Sequence, residues 1–81
     1  MNRSTHVIKD TATEEGSNIK LWRETQYKGN GLETVFFVDL RDQNGLIMRQ
    51  PYPNLNEALD KYYSLVGSAL KYGQELHRVR V

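Results

Sequence analysis

The pattern alternates from Ile19 to Tyr27, placing Ile19, Leu21, Thr25 and Tyr27 on one side and Lys20, Trp22, Glu24 and Gln26 on the other. A period of two predicts a half-buried strand. Lys28, Gly29, Asn30 and Gly31 follow, and two glycines able to take positive φ suit a reversal into an antiparallel neighbour. From Glu33 to Arg41 the apolar residues Val35, Phe36, Phe37, Val38 and Leu40 point to both sides, as in a central strand. Asp42, Gln43, Asn44 and Gly45 have the order of a type I hairpin link, which sets Leu40 opposite Met48. The third strand, Leu46 to Gln50, is stopped by Pro51 and Pro53 around Tyr52, because proline breaks both ladder and helix bonding.

Beyond the prolines the period lengthens. Asn54 with Glu57 three residues on has the spacing of a capping box. Leu55, Leu59, Tyr62, Val66, Ala69 and Leu70 then recur at steps of three and four, predicting an amphipathic helix over 54–72. Glu57 and Lys61, one turn apart, mark its solvated face. Gly67 suggests close approach to the sheet or a break, and Gly73 a stop. Leu76 to Val81 alternates again, as a strand closing the sheet would.

Residues 1–18 are rich in Thr, Ser, Asn and Glu and lack a period that buries a face, so they read as a loose polar arm ahead of a single domain over 19–81. His6 to Asp10, with the apolar pair Val7 and Ile8, is the candidate for an extra edge strand. The expected class is α+β: a three- to five-stranded antiparallel sheet with one amphipathic helix on one face, in the order β-β-β-α-β.

Composition narrows the function classes. The 81 residues are 38% hydrophobic and 26% charged, too apolar for disorder and too polar for a membrane span. There is no cysteine, which excludes disulfides and thiolate zinc sites and accords with a cytoplasmic setting. Eleven basic and ten acidic side chains give a net charge of +1, so no overall field attracts nucleic acid or anionic lipid.

No cluster has the residue types and spacing that a catalytic chemistry demands. His6 and His77 lie far apart in sequence, without a second ligand at helical or turn spacing. Ser64, Asp60 and His77 lack the strained nucleophile turn of a hydrolase, and the Lys28 to Gly31 loop leads into a strand where a phosphate loop leads into a helix. Of the carboxylate pairs, Glu14 with Glu15 falls in the arm. Asp39, near Asp42 in sequence, sits in the most apolar strand on the Phe37 side, where Arg41 or Arg49 can pair with it. We therefore expect no catalytic residue, metal or cofactor.

What stands out is an excess of apolar side chains over what one helix can cover. Trp22, Phe37 and Ile47 fall on the side away from Phe36, Val38, Leu40, Leu46 and Met48. With Tyr63 at the helix rim they are the candidate contacts of a non-enzymatic protein-interaction module, of adaptor or inhibitor type, alone or as a homodimer. The alternative is a nucleic-acid-binding module that uses the sheet through Lys20, Lys28, Arg41 and Arg49 and the basic tail through Arg78 and Arg80. Glu24, Glu33, Asp39 and Asp42, interleaved with those bases, weigh against it.

Overall fold

A computed structural model describes residues 3–13 and 16–77, with helix side chains given as far as Gly67. Four strands, β1 (Arg3–Ala12), β2 (Asn18–Lys28), β3 (Gly31–Asp42) and β4 (Gly45–Tyr52), form one antiparallel sheet in chain order, followed by the helix α1 (Leu55–His77). The order is thus β-β-β-β-α rather than β-β-β-α-β. The fourth strand comes from the N-terminal segment, and the helix follows β4.

That segment was expected to be a loose arm with at most a short strand over His6 to Asp10, yet β1 pairs with β2 from Arg3 to Ala12. Its pattern was hidden by a bulge. Val7 pairs with Trp22 and Lys9 with Leu21, leaving Ile8 as an extra residue between them. On one side of the bulge Thr5 and Val7 share the face of Trp22; on the other, Lys9 and Thr11 share the face of Leu21. A strand whose inside and outside exchange midway shows no period of two.

Turn chemistry fixes the remaining registers. Lys28 pairs with Gly31, leaving Gly29 and Asn30 as a two-residue link, and Gly29 has φ +55° at the first central position, where a type II′ turn needs it. Asp42 pairs with Gly45 across Gln43 and Asn44, while the Asp42 carboxylate accepts the Asn44 N–H at 2.8 Å. Leu40 lies opposite Met48, in the expected register. A bulge follows here too, for Arg41 pairs with Leu46 and Ile47 is the extra residue.

The helix begins with the N-cap half of the box, and the reciprocal bond runs between the two side chains. Asn54 Oδ1 accepts the Glu57 N–H at 2.9 Å, and Glu57 Oε2 accepts from Asn54 Nδ2 at 3.1 Å. Ala58 and Tyr62 are the helix residues buried against Ile19, Leu21 and Val38, with Leu59, Leu65 and Val66 beside them. The buried stripe differs from the expected one: Leu55 is exposed, and Ala58 is fully buried. A Cβ added at Gly67 would meet nothing within 4 Å, so that glycine marks neither close approach nor a break. Gly73 does not stop the helix, which continues to His77 through the good helix formers Gln74, Glu75 and Leu76. Leu76 and His77, expected in a closing strand, are therefore helical, and the rest of that stretch, 78–81, lies outside the described residues.

Among the described helix side chains, those packed on the sheet lie between Ala58 and Val66. Tyr27 and Leu32, paired across β2 and β3 near the hairpin tip, are both exposed on the helix side. The opposite face of the sheet has no second layer among the described residues.

Candidate functional site

The open face is built by cross-strand registers. Val7, Trp22, Phe37 and Pro51 are successive partners across all four strands and form an apolar row. Trp22 and Phe37 stack with ring centroids 4.6 Å apart and planes 22° from parallel, a favourable offset geometry for neighbouring aromatic rings. Two residues along β2, β3 and β4, and three along the bulged β1, the next row reads Asp10, Lys20, Asp39 and Arg49. On the other side of the apolar row lie Thr5, Glu24 and Val35.

Arg49 ties the first two rows together. Its Nε and one Nη each donate to a different oxygen of Asp39 at 2.9 Å, and its guanidinium carbon stands 5.2 Å from the centroid of the Trp22 ring. Asp39 is 0% exposed although it belongs to the open face, whereas the Arg49 side chain remains 40% exposed. The bidentate bond to Asp39 raises the Arg49 pKa against the opposing effect of burial, and the Asp39 and Glu24 charges add to the rise. Of the two arginines expected to reach Asp39, Arg49 is the one hydrogen-bonded to it. The indole N–H of Trp22 is buried and has no hydrogen-bond partner among the described residues.

The expected contact residues do not all converge. Trp22 and Phe37 sit side by side at the centre of the open face, half-buried by Arg49 and by each other. Ile47 is 58% exposed in the β4 bulge, two residues before Arg49. Tyr63 is 54% exposed but belongs to the helix side, edge-on to Tyr62 at 5.3 Å with the Lys9 ammonium 5.9 Å from its ring. It stands across the sheet from Trp22 and Phe37.

The basic residues are also dispersed. Lys28 pairs with Glu33 at 3.1 Å at the hairpin tip, Arg49 pairs with Asp39, and Arg3 pairs with Glu24. Arg41 is half-buried beside the β4 bulge, and Lys20 has no ion-pair partner among the described residues. Arg78 and Arg80 lie outside the described residues. Reading the sequence alone missed Val7 and Pro51 as members of the open face. Val7 was legible only as half of an apolar pair, and Pro51 only as a strand terminator.

Among the described residues there is no group of three or more His, Cys, Asp or Glu side chains that could hold a metal, and no helix long and apolar enough to cross a membrane. Comparison with protein-family models, with curated proteins and with solved structures finds no match to this chain.

Proposed function

We propose that the chain is a non-enzymatic interaction module, of the adaptor or inhibitor kind, that binds protein through the sheet face opposite its helix. The observation that supports this reading is the apolar row of Val7, Trp22, Phe37 and Pro51, which lies on a sheet face with no second layer among the described residues and has a half-buried, stacked aromatic pair at its centre. An aromatic pair flanked by a held arginine has the composition of an interface hot spot. A cytoplasmic setting accords with the absence of cysteine.

The test is truncation of the anchors. Trp22→Ala and Phe37→Asp should each weaken partner capture or self-association by about 30-fold or more, the scale of a hot-spot residue, while the circular dichroism of the fold is kept. Unchanged capture together with unchanged solution mass would overturn the reading.

Nucleic acid is less well served by the same face. Of the four candidate contacts in the sheet, Lys20, Lys28, Arg41 and Arg49, two already face carboxylates, so few remain to displace counterions from a phosphate backbone. A gel shift at low salt that disappears on neutralising Lys20 and Arg41 would favour that alternative.

A further inference from the structure

We propose that the outer edge of β3 from Leu32 to Thr34 docks an extended segment of another protein, which adds as a short antiparallel strand and seats an apolar side chain against Leu32 and Tyr27. This edge is separate from the open face, so the proposal goes beyond the interaction reading above.

β4 stops short of the hairpin tip. Phe36 pairs with Tyr52, and in that register Thr34 would pair with Asn54 and Leu32 with Asn56. Asn54 instead caps the helix, its carbonyl accepting the Ala58 N–H at 3.3 Å, and Asn56 lies in the first turn of α1. Which backbone groups this leaves open follows from the tip. Lys28 and Gly31 close a two-residue link and exchange both their backbone bonds, and from there bonded pairs alternate with unbonded ones. The β2–β3 ladder has no bulge to upset that alternation. Gly31, Glu33 and Val35 therefore turn their N–H and C=O toward β2, whereas Leu32 and Thr34 turn theirs outward. Among the described residues these outward groups have no backbone partner.

The other two edges are guarded against added strands. Pro51 removes an N–H from the outer side of β4, and the bulges at Ile47 and Ile8 break the lines of β4 and β1. Leu32 to Thr34 has neither proline nor bulge. Beside it on the helix side, Tyr27 and Leu32 form an apolar shelf, 65% and 62% exposed. A strand along the edge places side chains two apart next to Leu32 and Thr34 on that side, and the one between them beside Glu33. Lys28 and Glu33 already neutralise each other at 3.1 Å, so backbone and shelf select the occupant, and charge does not. A second copy fits poorly. The two-fold antiparallel register that joins all the outward groups sets Leu32 against Thr34 and Glu33 directly against Glu33, leaving only a threonine beside the shelf. A foreign segment is free to place an apolar residue opposite Leu32.

The probe is the end-blocked peptide Lys-Thr-Ile-Thr-Val-Thr-Lys, whose Ile and Val fall on one side of a strand; in the control, Lys-Thr-Thr-Ile-Val-Thr-Lys, they fall on opposite sides. Each is titrated to millimolar concentration while amide exchange of the isotope-labelled chain is read residue by residue by NMR. In the free chain the Leu32 and Thr34 N–H groups should exchange fast and those of Glu33 and Val35 slowly. The alternating peptide should slow Leu32 and Thr34 and shift their signals, and the control should bind more weakly. Thr34→Pro, which deletes one outward N–H, should weaken peptide binding by about fivefold, the scale of one backbone hydrogen bond. Thr34→Ala, which keeps that N–H, and Trp22→Ala, which tests the open face, should leave it unchanged. Protection of Leu32 and Thr34 in the dilute free chain would mean that the chain covers its own edge, and protection that grows with chain concentration would mean a second copy; either overturns the proposal. So does the absence of any response to the alternating peptide, or an equal loss in Thr34→Pro and Thr34→Ala. If Thr34→Pro does not fold, the wild-type exchange pattern with the two peptides decides. Failure here leaves the open-face reading to its own test with Trp22→Ala and Phe37→Asp.

Discussion

Replacing Arg49 with methionine leaves the Asp39 carboxylate, which has no accessible surface, without either of its two 2.9 Å donors. Removing one partner of a fully buried ion pair costs about 3–5 kcal/mol, because the remaining charge is stranded. Arg49 is 40% exposed, so water can enter where the guanidinium stood, and the cost moves toward the about 1.5–3 kcal/mol of hydrogen bonds to a charged group. A loss of about 2 kcal/mol corresponds to a fall in Tm of roughly 8–16 °C for a domain of this size. Asp39→Asn should cost less, under about 1 kcal/mol, since the freed guanidinium already reaches solvent. The double variant Asp39→Asn/Arg49→Met should be more stable than Arg49→Met alone, because the stranded group is then neutral. Urea unfolding of all four proteins at one protein concentration measures the cycle, with equal m-values as the check that only stability has changed. Additive losses, or an Arg49→Met variant within about 0.5 kcal/mol of wild type, would refute the claim that this pair satisfies a buried charge.

Three other perturbations have defined signs. Asn54→Ala removes the acceptor of the Glu57 N–H and should lower stability by about 1 kcal/mol in denaturant unfolding. Gly67→Ala adds a methyl group into open space within a helix and should raise stability by about 0.5–1 kcal/mol; a loss would mean that this turn is packed. Burial, with the nearby Glu57 charge, raises the Tyr52 phenol above its ordinary value of 10.0, so the folded chain keeps a proton that the unfolded chain gives up. That contribution is complete below about pH 10 and is lost as pH rises through the folded value. An ultraviolet titration should show a late-ionising tyrosine that vanishes in Tyr52→Phe.

The elements easiest to read in the sequence were those in which one local rule acted alone. Ile19 to Tyr27 alternates apart from Trp22 and Arg23, Asn54 and Glu57 cap without competition, and the Lys28 to Gly31 loop contains the glycine its turn requires. Difficulties arose where two registers met or where a small residue carried the packing. Ile8 conceals β1 by exchanging its inner and outer positions. Ala58 is fully buried where Leu55 is exposed, which a stripe of large residues does not reveal. Gly73 does not end the helix, since one glycine costs about 1 kcal/mol while Gln74 to Leu76 favour continuation. The open face was half legible: Trp22 and Phe37 followed from alternation, whereas Val7 joins them only through a pairing 15 residues away. Tyr63, grouped with them by its amphipathic ring, is separated from them by the thickness of the sheet.

The extra residue in β1 also settles how the outermost strand behaves. Ile8 is seated among the core residues behind Leu21, so sliding β1 by one position to regain hydrogen bonds would pull that side chain into water and drive a polar neighbour inward. The edge is therefore keyed like a tooth in a rack: it has one alignment, and strands added beyond it would have to accept the kink it carries.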